Sequence, residues 1–138
     1  GTQAGLVAGL VAMNSGVSVL GIGVSSPRVT QEAKVLELAQ DTAKYLDLPG
    51  IIRPHHVLAN CDYIGQGYGI PTEGMVEAVR LVAECEGILL DPVYSGKAMA
   101  GLIDLIRKGH FAADSNIVFL HTGGAVGLFG YPEALASD

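Results

Sequence analysis

Two hydrophobic rhythms alternate along this chain, one with the period of a helix and one with the continuous apolar run of a buried strand. Leu6-Val7-Ala8-Gly9-Leu10-Val11-Ala12-Met13 is apolar all round, which predicts a buried helix, and Asn14-Ser15-Gly16 supplies its stop. Residues 17–24 are rich in β-branched side chains and apolar on both faces, the pattern of a strand covered by helices. After Ser25-Ser26-Pro27, the positions Val35, Leu38, Ala39, Thr42, Ala43 and Leu46 fall at i, i+3, i+4, i+7, i+8 and i+11, an amphipathic stripe. Glu32, Lys34, Glu37, Gln40, Asp41 and Lys44 are the solvated face of that helix.

Between Pro49 and Pro71 the regular pattern fades. Val57-Leu58-Ala59 predicts a short strand, and Gly65-Gln66-Gly67-Tyr68-Gly69-Ile70-Pro71 a glycine-dense loop. Thr72 and Glu73 open the next helix with a capping oxygen and a first-turn acid, and Met75, Val79, Val82 and Ala83 make its buried stripe. Gly87-Ile88-Leu89-Leu90 predicts a central strand, stopped by Asp91-Pro92 because proline cannot donate to a ladder. A helix follows with Met99, Leu102, Ile103 and Ile106 on one face and ends at Gly109, and Asn116–Leu120 predicts the last strand. This order predicts an α/β fold of three layers, helix–sheet–helix, with an open, mostly parallel sheet. The 138 residues fit one domain.

Composition narrows the function. A formal net charge of −6 and the lack of a basic patch with interleaved aromatics argue against a nucleic-acid surface. Gly, Ser, Asn and Arg interrupt every apolar run, so no membrane span is expected. Cys61 and Cys85 form no CxxC pair, which suits a reduced, cytoplasmic setting. His55, His56, Cys61 and Asp62 match no metal-binding spacing, so no metal is expected.

Three loops hold candidate chemistry: Tyr68, flanked by glycines; Tyr94 and Ser95, just past the expected central strand; and Thr122-Gly123-Gly124, just past the last one. Open α/β sheets place ligands at the carboxyl ends of strands, so these pieces are expected on one rim. Gly1 and Thr2, at the head of the first helix, suit either an anion site or a plain cap. The two glycines at 123 and 124 suit either a close approach to something planar or anionic, or a simple tight turn.

Four stretches carry a specific resemblance: Gly1-Thr2-Gln3-Ala4-Gly5-Leu6, Tyr68-Gly69-Ile70-Pro71-Thr72-Glu73-Gly74, Leu90-Asp91-Pro92-Val93-Tyr94-Ser95-Gly96-Lys97-Ala98-Met99 and His121-Thr122-Gly123-Gly124-Ala125. In this order they resemble the carboxyl-terminal half of the D-cysteine desulfhydrase and 1-aminocyclopropane-1-carboxylate (ACC) deaminase family. These are fold-type II pyridoxal-phosphate enzymes, similar in fold to the β-subunit of tryptophan synthase. The resemblance runs from Gly1 to about Tyr131 and covers one partial domain. It implies that the Schiff-base lysine and a small mobile domain lie in an amino-terminal half this sequence does not include, so that the chain alone is inactive. Lys97 does not match that lysine and reads as structural.

The resemblance also implies site roles. Gly1 and Thr2 match the end of the phosphate loop, Tyr68 and Tyr94 the two catalytic tyrosines, Ser95 and Thr122 positions near the pyridine nitrogen, and Gly123 and Gly124 the backbone lining the ring. In the deaminase branch the positions of Ser95 and Thr122 carry a glutamate and a leucine. The two hydroxyls here favour the desulfhydrase branch, which converts a small amino-acid substrate to pyruvate, ammonia and sulfide. The alternatives are a deaminase-type enzyme and a non-catalytic half-domain with a binding or structural role. Self-association, as a two-fold homodimer, is expected in either case.

Overall fold

A parallel pair of strands anchors the first part of the chain. The computed structural model describes residues 1–136 and divides into two units, Gly1–Cys61 and Asp62–Asp138. The first unit contains α1 (Thr2–Ala12), β1 (Leu20–Ile22), α2 (Arg28–Tyr45) and β2 (Leu58–Asn60). Leu20 lies opposite Leu58 and Ile22 opposite Asn60, in parallel, so α2 is the crossover of a βαβ unit. Its core joins Ala4, Val7 and Ala8 of α1 to Val35, Ala39 and Ala43 of α2, with Ile52 and Val57 closing it. Small residues at these positions let the two helices approach closely. Gln3 lies against the sheet at Gly21, where a β-carbon would overlap its side chain, and its amide donates to the Leu58 carbonyl at 2.7 Å.

The second unit holds α3 (Glu73–Glu86), α4 (Ser95–Arg107), a short 3-10 segment at Ala125–Gly130 and the one-turn α5 (Pro132–Leu135). Thr72 caps α3 as expected, its hydroxyl accepting from the Met75 amide at 3.2 Å. Met75, Val79 and Leu90 form the buried centre, with Val76, Val82, Met99, Phe119, Leu128 and Leu135 packed around it. The fold is α/β, as the alternation of patterns predicts. No helix among the described residues is long and apolar enough to cross a membrane.

The sheet is smaller than expected. Among the described residues it has two strands, β1 and β2. Gly87 is the left-handed cap of α3 (φ 66°) rather than the start of a strand. Ile88–Leu90 and Asn116–Leu120 form no ladder. A strand exists only through a partner, and the Leu89 carbonyl is instead hydrogen-bonded by the His121 ring at 2.9 Å. β1 is likewise shorter than the apolar run 17–24, because β2 offers only three residues to pair with. The helix stripes are also narrower than the periodicity suggests. α2 buries Val35, Ala39 and Ala43 but leaves Leu38 and Leu46 exposed. In α4 the buried face is displaced: Lys97, Ala100, Gly101 and Leu105 are buried, whereas the expected Met99, Leu102 and Ile103 are half-buried and Ile106 is exposed.

Candidate functional site

Within the second unit, the chemistry is built around the joint that leads into α4. The residue at its N-cap position, Tyr94, makes no side-chain cap. Asp91 does that work from three residues upstream. One carboxylate oxygen accepts the amides of Val93 at 2.9 Å and Tyr94 at 2.7 Å; the other accepts the Ser95 amide at 2.7 Å and the Ser95 hydroxyl at 2.6 Å. The Ser95 oxygen in turn accepts the Asp91 amide at 2.8 Å. Burial disfavours the charge on Asp91, but the hydrogen bonds from Ser95, Tyr94 and Val93 outweigh it and hold the carboxyl below its usual range. Because the cap is made by Asp91, the Tyr94 ring is left to point elsewhere.

It points at Tyr68. The two rings meet edge to face, with centroids 5.9 Å apart, and their hydroxyls are hydrogen-bonded to each other. Both rings are about half exposed, so the pair faces solvent. The shared hydrogen bond, more than burial, pushes the pKa of the Tyr68 phenol up. Tyr68 sits in a turn closed by the Ile70 amide to the Gly67 carbonyl at 3.3 Å, with Gly69 at φ 72° in the position that calls for glycine.

The Thr122-Gly123-Gly124 loop closes on the same joint. His121 orients it: the Gly123 amide donates to Nδ1 at 2.9 Å, which places the ring proton on Nε2, the nitrogen that meets the Leu89 carbonyl. Gly124 (φ 92°) lies so close to Asp91 that a β-carbon would stand 3.0 Å from the Asp91 Cβ. Gly123 (φ 90°) has open space where a side chain would be, and Thr122 is exposed. The structure thus brings Tyr68, Tyr94, Ser95 and Gly124 together around Asp91. Ser95 is 2% exposed, and its hydroxyl proton goes to Asp91. In the first unit, Gly1 and Thr2 are exposed at the head of α1, which has no side-chain cap. Its first amide groups are therefore open to an anion.

The sequence marks Asp91 only as part of the stop after the expected central strand and gives His121 no role of its own. Asp is itself a preferred capping residue, and its place just ahead of a helix start is the signal that identifies Asp91. His121 had no such signal, because its partners are backbone atoms. Lys97 is structural as expected, fully buried with its ammonium on the carbonyls of Ile64 at 2.6 Å and Gly67 at 3.0 Å. No cluster of metal-binding side chains occurs among the described residues. Two clefts beside α3, of about 660 and 410 Å³, are lined by residues other than the tyrosine pair and Thr122.

Residues 1–123 match the family described as pyridoxal-phosphate dependent enzyme. The chain is 47% identical over 131 residues to the D-cysteine desulfhydrase of Salmonella newport (strain SL254), a match over 95% of this chain and 39% of that protein. The D-cysteine desulfhydrase of Salmonella gallinarum gives the same 47% identity and coverage. The crystal structure of an ACC deaminase homologue superposes with a TM-score of 0.83 at 38% identity, over 97% of this chain and 39% of that one. The chain therefore spans about two fifths of the length of the relatives it matches.

Proposed function

The chain belongs to the family of pyridoxal-phosphate dependent enzymes, and on that premise we propose that it is the cofactor-binding part of an enzyme that releases sulfide from D-cysteine. The observation that carries this reading is the solvent-facing hydroxyl pair of Tyr68 and Tyr94, held beside the Thr122–Gly124 loop by Asp91.

The open space at Gly123 offers bare backbone to a ring, and the uncapped head of α1 offers amides to a phosphate. In this reading Gly1 and Thr2 hold the phosphate, and Thr122, Gly123 and Gly124 line the ring. Bound pyridoxal phosphate supplies the electron sink for the reaction. Tyr68, its phenol pKa pushed up, stays neutral across physiological pH and shares a hydrogen bond with the Tyr94 hydroxyl. Tyr94 is the partner that passes a proton to or from the substrate. The Ser95 hydroxyl donates its hydrogen bond to Asp91 and accepts one from the Asp91 amide, so it presents only a remaining lone pair to other groups.

Ser95 and Thr122 set the branch. A carboxylate at position 95 favours a protonated, cationic ring nitrogen and so a stronger sink, which opening a cyclopropane needs. Loss of thiolate, a good leaving group, is served by the weaker sink that two hydroxyls provide. A small amino-acid substrate, a cytoplasmic setting and a homodimer belong to the same reading. The exposed Val118, Val126 and Phe129 are the apolar surface such a dimer would cover.

The test joins this chain to the portion of Salmonella D-cysteine desulfhydrase that it does not span. In that joined enzyme, Ser95→Glu with Thr122→Leu should shift preference from D-cysteine toward 1-aminocyclopropane-1-carboxylate. An unchanged ratio of the two activities would refute the assignment of these two residues.

A further inference from the structure

Lys97 is the largest of the fully buried side chains, yet among the described residues it makes no ion pair. Burying a lysine charge is costly unless its donors are satisfied. Here two of its three donors are taken by the Ile64 and Gly67 carbonyls, just before and within the glycine-rich loop. That loop has few anchors of its own. Gly65 and Gly69 take positive φ values of 69° and 72°, and neither offers a side chain to pack. The turn that carries Tyr68 is closed by one long bond, 3.3 Å, from the Ile70 amide to the Gly67 carbonyl. The same carbonyl receives the Lys97 ammonium. On the far side of Tyr68, the Tyr131 hydroxyl donates to the Gly69 carbonyl at 2.8 Å.

Lys97 also belongs to the first turn of α4, the helix whose cap releases the Tyr94 ring. One side chain therefore ties the backbone beneath Tyr68 to the element that presents Tyr94. We infer that Lys97 is a positioning residue for the tyrosine pair, holding the Tyr68 turn so that its hydroxyl meets that of Tyr94. This rests on the functional reading above only in giving the pair a task. The geometry itself is independent of any cofactor.

An apolar residue at position 97 would fill the same space but take the ammonium away from both carbonyls, leaving Gly67 only the long bond from the Ile70 amide. A lowered Lys97 ionisation, caused by desolvation, fits an ammonium held by carbonyl dipoles alone. The groups whose charge bears on Tyr68 are Tyr94, Tyr131 and Asp91.

The experiment uses the chain by itself, labelled with 13C at the tyrosine ζ carbons, and follows each phenol by NMR as pH is raised. In the unmutated chain Tyr68 titrates above an ordinary phenol, and Tyr63, whose hydroxyl donates to Asp104 at 2.7 Å, titrates at about 12. In Lys97→Met the Tyr68 midpoint should fall toward about 10, while Tyr63 keeps its high value. The direction is diagnostic, since simple loss of a nearby positive charge would raise a phenol rather than lower it. A Tyr68 midpoint unchanged in Lys97→Met would overturn the inference. If Tyr63 collapses as well, the variant has lost its fold and the unmutated chain decides. There, scalar couplings through the hydrogen bonds from Lys97 Nζ to the carbonyl carbons of Ile64 and Gly67 should be measurable, and their absence would equally overturn it. Since no cofactor or substrate is present, a negative result here is distinct from a joined enzyme that fails to turn over D-cysteine.

Discussion

Replacing Asp91 by alanine removes the most heavily used acceptor in the second unit. The carboxylate takes three amides and one hydroxyl at 2.6–2.9 Å and is 3% exposed. Water cannot take over those bonds without opening the joint. Hydrogen bonds to a charged group contribute about 1.5–3 kcal/mol each when isolated, but four on one carboxylate are not additive. Helix-cap losses run at about 1–2 kcal/mol, and a buried donor left unsatisfied costs about 1–3 kcal/mol. Together these place the loss at roughly 3–4 kcal/mol for Asp91→Ala. Asp91→Asn keeps one acceptor oxygen but turns an amide toward donors, and about half that loss is expected, roughly 2 kcal/mol. Urea unfolding followed by circular dichroism at neutral pH measures both, with amide exchange at Val93–Gly96 reporting the local effect. The ionisation supplies a second check. Asp91 is held below its unfolded value, so its contribution is complete above about pH 4 and is lost as pH falls through the folded value. Asp91→Ala should therefore flatten the acid limb of the stability profile. A loss under about 0.5 kcal/mol, with the acid limb unchanged, would refute the capping account.

Gly124→Ala should destabilise the second unit by about 1–3 kcal/mol, because it demands φ 92° of a residue with a β-carbon and drives that carbon onto Asp91; denaturant midpoints decide it. Gly87→Ala, at φ 66° but with nothing within 4 Å of the added carbon, should cost only about 1 kcal/mol. Adding pyridoxal phosphate to this chain, reducing with borohydride and mapping peptides should leave Lys97 unlabelled, since its amine is buried and committed to two carbonyls. Stoichiometric label there would contradict its structural placement. In the joined enzyme, Tyr94→Phe should reduce sulfide release about 100-fold or more if its hydroxyl moves a proton, and a rate within twofold of the parent would remove Tyr94 from that role.

The helices were legible because burial on one side writes itself into the sequence. α2 and α3 carry their stripes, and Thr72 signals its cap. The edges of those stripes were not legible. Periodicity marks Leu38 as well as it marks Ala39, and it marks Ile106 where Leu105 is the buried residue; only a neighbour decides which are covered, and Leu38 and Ile106 are exposed. The apolar runs at Ile88–Leu90 and Asn116–Leu120 read as strands because burial and ladder pairing usually coincide. In this structure Leu90 and Phe119 pack into the core without a ladder. At the site, the pairing of Tyr68 with Tyr94 lies 26 residues apart in sequence, and the motifs placed both in one region without showing that they touch. The supports were harder still to see. Lys97, His121 and Tyr131 act on backbone carbonyls and amides, which have no sequence signature.

The central claim is the chemistry of the whole enzyme, and one ratio tests it most directly. The joined protein, loaded with pyridoxal phosphate, is assayed with D-cysteine for sulfide and with 1-aminocyclopropane-1-carboxylate for ammonia, under the same conditions. The account predicts that kcat/KM for D-cysteine exceeds that for the cyclopropane substrate, because Ser95 and Thr122 supply hydroxyls where a carboxylate is needed for ring opening. A preference for 1-aminocyclopropane-1-carboxylate would contradict it.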